Sequence, residues 1–273
     1  MMLFDPGESA YDLRFRLLGV PVRVHPMFWL VSFFMGSSAA QLGFEFLLIW
    51  IGAVFVSILI HEMGHVLAGN AFGSRGYIVL YGFGGLAIGS NRLDERWQRV
   101  IVSFAGPGAG FAFLALVLTG LWLRSPDEFG GYLDLVRMSI GMRPTEGGFP
   151  RDNIYLVAIA NDLIFINLFW GLVNLLPIWP LDGGQISREG FVAAAGRSGV
   201  WQSLALSFAL SLVIAVHSAL AMHGRSPLPL PIGGSMFTVI FFGMFAVQSW
   251  QEMQRAEAER RWMRDHWDQN DRW

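Results

Sequence analysis

Fifteen uncharged, mostly apolar residues, Phe46 to Ile60, run directly into His61-Glu62-Met63-Gly64-His65. At 1.5 Å per residue they cover roughly 22 Å of a hydrocarbon core about 30 Å thick, so the segment reads as a membrane-spanning helix. The motif would then lie inside the bilayer, nearer the far surface. On a helix, His-Glu-x-x-His sets two imidazoles one turn apart on one face, where both can reach one zinc ion. The glutamate beside them can take a proton from water held there. The plainer alternative is a pair of packed core histidines. In a membrane span His and Glu are costly to bury and are functional by default, which favours a metal site. Two histidines do not complete such a site, so a third protein ligand is required.

Composition supports the membrane setting. The chain has 273 residues, of which 15% are charged and 53% hydrophobic. Soluble domains carry about 25% charged residues, so this is the composition of a polytopic membrane protein, with the lipid bilayer as its surroundings. A net charge of −2 gives no case for nucleic-acid binding. Every basic residue is arginine, which reads as a compositional bias. Cysteine is absent, which removes disulfides, thiolate ligands and a cysteine nucleophile and leaves zinc to His and carboxylates. Residues 1–11 carry Asp5 and Glu8 but no Lys or Arg, unlike a secretory signal, so the first span is expected to be retained.

The expected fold is an all-α polytopic membrane protein of about six spans, near 26–41, 44–69, 97–123, 154–177, 200–222 and 234–251. A short helix is expected near 183–196. Residues 1–25 form an N-terminal arm, 26–251 the core and 252–273 a charged tail. Arginines sort by loop. Arg14, Arg16 and Arg23 precede span one; Arg75, Arg92, Arg96 and Arg99 follow span two; Arg188 and Arg197 follow span four; Arg255, Arg260, Arg261 and Arg264 follow span six. The opposite side has Arg225 and the 124–153 loop, whose four arginines are offset by five acids; on this balance the positive-inside rule puts both termini in the cytoplasm. Span two then runs inward, with His61 and His65 in its cytoplasmic third.

Span four ends in Asn174-Leu-Leu-Pro-Ile-Trp-Pro-Leu-Asp182-Gly183-Gly184. Pro177 and Pro180 stop the helix, the glycines permit tight backbone approach, and Asp182 emerges on the side where the topology places the His pair. A lone Asp in such a turn is usually a turn residue or helix cap. A two-His site in need of a carboxylate at that depth favours Asp182 as the third ligand.

His61-Glu62-x-x-His65, the Asn174…Pro177…Pro180-Leu181-Asp182-Gly183 segment and Ala105-Gly106-Pro107 together resemble the site-2 protease family of intramembrane metalloproteases, over about residues 20–250. The resemblance implies a six-span core, one zinc ion held by His61, His65 and Asp182, and Glu62 as catalytic base. Its substrate would be a single-span membrane protein, such as a tethered regulator cut in regulated intramembrane proteolysis, in a bacterial cytoplasmic membrane. A regulatory membrane partner or a homo-oligomer is compatible with it. Neither a PDZ domain nor C-terminal nucleotide-sensing modules fit the loop and tail lengths, so the chain resembles the compact members.

Between spans two and three, Gly76 to Gly89 is β-branched, aromatic and glycine-punctuated, and reads as two short strands joined near Gly82 to Gly85. In the family a comparable sheet pairs with an extended substrate. Gly82, Phe83, Gly84 and Gly85 are therefore candidate substrate-binding residues; a structural hairpin is the alternative. Asn161, Asp162 and Asn167 are polar groups within span four; Asn167 and Asn174 are seven apart on one face, and Asn174, nearest the expected metal, is a candidate for the oxyanion or substrate backbone, against plain helix–helix hydrogen bonding. The Ala105–Gly110 stretch is read as helix packing, and His217 as making a structural hydrogen bond. Phe129, Leu133, Val136 and Ile140 follow helical spacing, which predicts an amphipathic helix on the outer face. The rival from another class is a non-catalytic metal-binding or transport protein, but Glu62 is present and no path of intramembrane carboxylates is visible. A membrane serine protease is weaker still, since Gly36-Ser37-Ser38-Ala39 lacks a Gly-x-Ser-Gly pattern.

Overall fold

The structure is a computed structural model that describes residues 7–82, 84–145, 148–225 and 234–270. The chain forms two compact units, Met1–Val173 and Asn174–Trp273. The first begins with strands β1 (Leu13–Leu17) and β2 (Val20–Val24), then α1 (Pro26–Met35) and the long α2 (Phe44–Ala71). Strands β3 (Tyr77–Tyr81) and β4 (Gly84–Ile88) follow, then α3 (Arg96–Arg124), α4 (Phe129–Ser139) and α5 (Ile154–Ile164). A π-helical turn, Phe165–Trp170, leads from α5 into α6 (Gly171–Asn174). The second unit contains α7 (Asp182–Ala195), α8 (Ser198–Ala221) and α9 (Met236–Asn270).

Among the described residues, four helical stretches are long and apolar enough to cross a bilayer: Phe44–Ala71, Arg96–Arg124, Ile154–Asn174 and Ser198–Ala221. They match the second to fifth expected spans. The first expected span is represented by α1, apolar but ten residues long, followed by a 3-10 turn, Ala39–Gln41. The sixth falls within the first half of α9.

The expected hairpin exists as β3 and β4, but it belongs to a four-stranded sheet of order β1-β2-β3-β4. The other two strands come from the N-terminal arm. β2 runs parallel to β3, pairing Val22 with Ile78 and Val24 with Leu80; the two other pairings are antiparallel. Alternation explains the faces: Val20, Val22, Val24, Ile78 and Leu80 point inward and pack with Phe28, Ile58, Leu59, Met63 and Val66. Leu18 and Gly19 turn β1 into β2 with φ of 49° and 79°, the left-handed pair that a two-residue hairpin demands. One consequence positions the site: the sheet lies against the half of α2 that carries the motif.

In lipid, apolar surface alone does not drive helices together, so close backbone approach and buried hydrogen bonds carry their association. α2 and α3 meet in this way. A Cβ on Gly64 would overlap the Ala105 carbonyl oxygen and lie 2.8 Å from Ala109 Cβ. The neighbour of the expected small-residue stripe is thus α2. Across the other side, Asn167 in the π-helical turn donates to Ser57 Oγ at 2.8 Å and to Leu163 O at 2.8 Å.

Helix α4 lies on α3 and α5 through Tyr132 and Leu135, flanked by Phe129 and Val136. Its buried face differs from the expected one: Leu133 is 36% exposed and Ile140 is the C-cap. The physical reason is that Asp134 turns inward. Its side chain is fully enclosed and accepts from Thr145 Oγ1 at 2.6 Å, Thr145 N at 3.0 Å and Arg137 Nη1 at 2.6 Å. The Thr145 hydroxyl and amide, then Arg137, hold its carboxyl below the usual carboxylate range. Nearby, burial and the Asp152 carboxylate push the Tyr132 phenol up to about 12; its hydroxyl donates to Asp152 Oδ2 at 3.2 Å.

In the second unit, the Pro177–Pro180 turn is secured to α8. Ser207 Oγ accepts from Trp179 N at 3.0 Å and lies 3.3 Å from Pro177 O. The guanidinium of Arg188 sits 5.1 Å above the Trp179 ring. α8 and α9 pack side by side. His217 on α8 is buried, and among the described residues neither ring nitrogen has a hydrogen-bond partner.

Candidate metal and catalytic centre

The motif lies in the C-terminal part of α2, where one helical turn stacks His65 on His61. Their Nε2 atoms are 3.2 Å apart and the rings meet edge to face, centroids 4.9 Å apart. Two nitrogens bound at about 2.05 Å to one tetrahedral zinc stand about 3.3 Å apart. The separation in α2 thus fits a shared metal. The His65 ring is also oriented for it. Its Nδ1 is 2.7 Å from Val102 O, and a carbonyl only accepts, so Nδ1 donates and, in the neutral ring, Nε2 is the nitrogen with the lone pair. A metal-ligating histidine is commonly fixed by such an outer hydrogen bond.

Glu62 points to the sheet instead. It is 5% exposed, and its carboxyl lies directly against β4: a Cβ on Gly85 would be 2.6 Å from Glu62 Cδ and Oε1. Gly85 pairs with Leu80 inside the ladder. A glycine on the ladder therefore brings a strand backbone within contact of the candidate base. Gly84 opens β4, and Gly82 turns the hairpin with φ of 50°. Phe83 lies outside the described residues.

Asn174 ends α6, and Asp182 is the first residue of α7. Both belong to the second unit. Asp182 is 7% exposed. The glycines after it are required by packing. A Cβ on Gly183 would overlap the carbonyls of Leu175 and Leu176, and one on Gly184 would overlap that of Ile178. Asp182 is thereby held at the end of a turn folded back on its own backbone.

The remaining polar residues take simpler roles. His25 caps α1, its Nδ1 accepting from Met27 N at 3.1 Å. Asn161 donates to Asp162 at 3.2 Å. Sequence reasoning did not connect Val102 or Gly106 with His65. Ala105-Gly106-Pro107 was the signal available, and it indicated close packing without the partner.

The profile of peptidase family M50 matches residues 49–218, a stretch that holds His61, Glu62, His65, Asn174 and Asp182. The chain is 29% identical over 186 residues to the candidate zinc metalloprotease sll0528 of Synechocystis sp., covering 63% of this chain and 42% of the relative. It is 27% identical over 181 residues to the zinc metalloprotease MJ0392 of Methanocaldococcus jannaschii, covering 65% and 45%. The chain thus spans less than half the length of these curated relatives. Among solved structures, the site-2 protease from Methanocaldococcus jannaschii aligns with a TM-score of 0.49 at 20% identity, over 89% of this chain and 95% of that one. With its profile matched across most of the chain and its motifs in place, this protein belongs to peptidase family M50, the site-2 protease family.

Proposed function

We propose that this protein is a zinc-dependent intramembrane endopeptidase that cuts a peptide bond within or near the transmembrane segment of a single-span membrane protein. The observation that carries the reading is the pair of Nε2 atoms 3.2 Å apart on an apolar helix, with Glu62 between them in sequence. The proposed ligands are His61, His65 and Asp182, two imidazoles and a carboxylate, a donor set that suits zinc. When bound, zinc supplies Lewis acidity to the scissile carbonyl and acidifies water.

The chain supplies the rest. Glu62 takes the proton of the attacking water at its carboxylate and hands it to the leaving amine. Asn174 steadies the developing oxyanion or the substrate backbone. A substrate helix must unwind before its peptide bonds are accessible, and each freed backbone group in lipid needs a partner. β4 is a terminal strand of the sheet, so its outer edge, from Gly84 and Gly85 onward, can take that segment as an added strand. Gly85 then sets the paired backbone close to Glu62. Core residues 26–251, with the arm and tail cytoplasmic, would sit in a bacterial cytoplasmic membrane.

The test is cleavage of single-span proteins by purified protein in liposomes. Zinc-dependent cutting inside the span, abolished by a chelator and by Glu62→Ala, supports the reading. Equal cleavage by Glu62→Ala and wild type from clean preparations overturns it.

A further inference from the structure

Gly106 is the point at which α3 passes the imidazole of His65. A Cβ on Gly106 would overlap Nε2 and Cε1 of that ring and lie 2.8 Å from Cδ2. Nε2 is the nitrogen that faces His61, so the space above Gly106 is filled by the ligand atom itself. Val102, whose carbonyl meets His65 Nδ1 at 2.7 Å, precedes Gly106 by four residues and shares its helix face. α3 therefore grips the ring at two places of different character. The carbonyl fixes its tautomer and rotation, and the bare glycine backbone fixes how closely it lies to the helix.

The neighbouring glycines show that this is specific to position 106. Gly108, two residues on, would place a Cβ 3.6 Å from the Phe104 ring, an ordinary contact. Gly64, beside His65 in sequence, brings α2 against the Ala105 carbonyl. Gly64 and Gly106 thus serve one junction from its two sides, the first for backbone approach and the second for the ring.

We infer that Gly106 is a positioning residue for the metal centre: together with the Val102 carbonyl it seats His65 so that Nε2 is presented toward His61. This rests on His65 being a metal ligand. Substituting Gly106 by Ala drives a methyl into the ring and moves Nε2 away from its bonding direction, whereas Gly108→Ala does not.

The experiment uses the purified full chain in detergent, stripped of metal and titrated with Co²⁺, with Zn²⁺ affinity measured by chelator competition. For Gly106→Ala we expect metal affinity about 10–100-fold weaker, the range for losing an outer support, and a changed Co²⁺ visible spectrum. Gly108→Ala should match wild type in both. A folded Gly106→Ala protein with wild-type affinity and spectrum overturns the inference. If Gly106→Ala does not fold, the metal-free Tm decides, measured with and without His65→Ala. Recovery of folding when the ring is removed supports the contact; equal loss in both backgrounds assigns Gly106 to helix packing and overturns it. A wild-type chain that takes no metal refutes the ligand reading, and the same Tm comparison still tests the contact.

Discussion

Asn167 donates its carboxamide to the hydroxyl of Ser57 at 2.8 Å, and both groups are buried. Ser57 precedes His61 by one helical turn on α2, so the bond ties the π-helical turn to the stretch just before the candidate metal pair. π-turns inside helices are frequent at functional sites, and this one rotates Asn167 inward. Replacing it with Leu should lower stability by about 0.6 kcal/mol, and by no more than about 1.7, as for buried polar pairs in membrane helices. Metal content should stay at wild-type level. The check is reversible unfolding in mixed detergent, and an unchanged midpoint would show that the bond does not contribute.

On the proposed mechanism Glu62 supplies proton transfer and not metal affinity. Glu62→Gln keeps the shape against Gly85 and removes the base. Zinc content should remain at wild-type level while cleavage falls about 10²–10⁴-fold. The pairing of metal analysis with a cleavage time course separates this role from a structural one. Zinc lost along with activity would contradict it.

Substrate pairing along β4 predicts a repeat of two. The chain has no cysteine, so Leu86→Cys can be cross-linked to single cysteines placed in turn along a substrate span. Extended pairing on β4 gives yields that alternate with every second residue. A period near 3.6 would mean that the substrate stays helical at this edge.

Asp134 ties Thr145 to α4 by accepting two hydrogen bonds from it, and accepts a third from Arg137 on its own helix. Its folded-state pKa lies below the unfolded value, so the contribution is present above about pH 4 and is lost as pH falls through the lower, folded value. Amide exchange of residues 140–145 should therefore show constant protection from about pH 5 to 8, once the intrinsic rate is removed. Asp134→Asn should raise exchange across that whole range. A wild-type segment that opens between pH 8 and 6 would contradict the assignment.

Much of the centre could be read directly from local sequence. His61, Glu62 and His65 share one helical turn, and helical spacing alone sets His61 over His65. The β3–β4 hairpin was legible for the same reason: strands, turn and glycines are adjacent in the chain. β1 and β2 were not: Leu13-Arg14-Phe15-Arg16-Leu17 alternates, but the run is only five residues long beside an apolar helix, and the parallel pairing of Val22 with Ile78 spans a whole membrane helix. The support of His65 by Val102 and Gly106 was equally hidden. A backbone carbonyl has no sequence signature, and a glycine that seats a ring looks the same as one that lets helices touch. On α4, hydrophobic spacing placed the helix but misassigned Leu133, since burial of Asp134 turned the helix by its hydrogen bonds.

The central claim is a three-ligand zinc site, and its most direct measurement is the zinc content of the purified, detergent-solubilised chain beside His61→Ala, Asp182→Ala and Glu62→Ala. The account predicts about one zinc per wild-type and Glu62→Ala chain, and a clear loss in both ligand variants. A well-folded wild-type protein that neither retains nor rebinds zinc would contradict it.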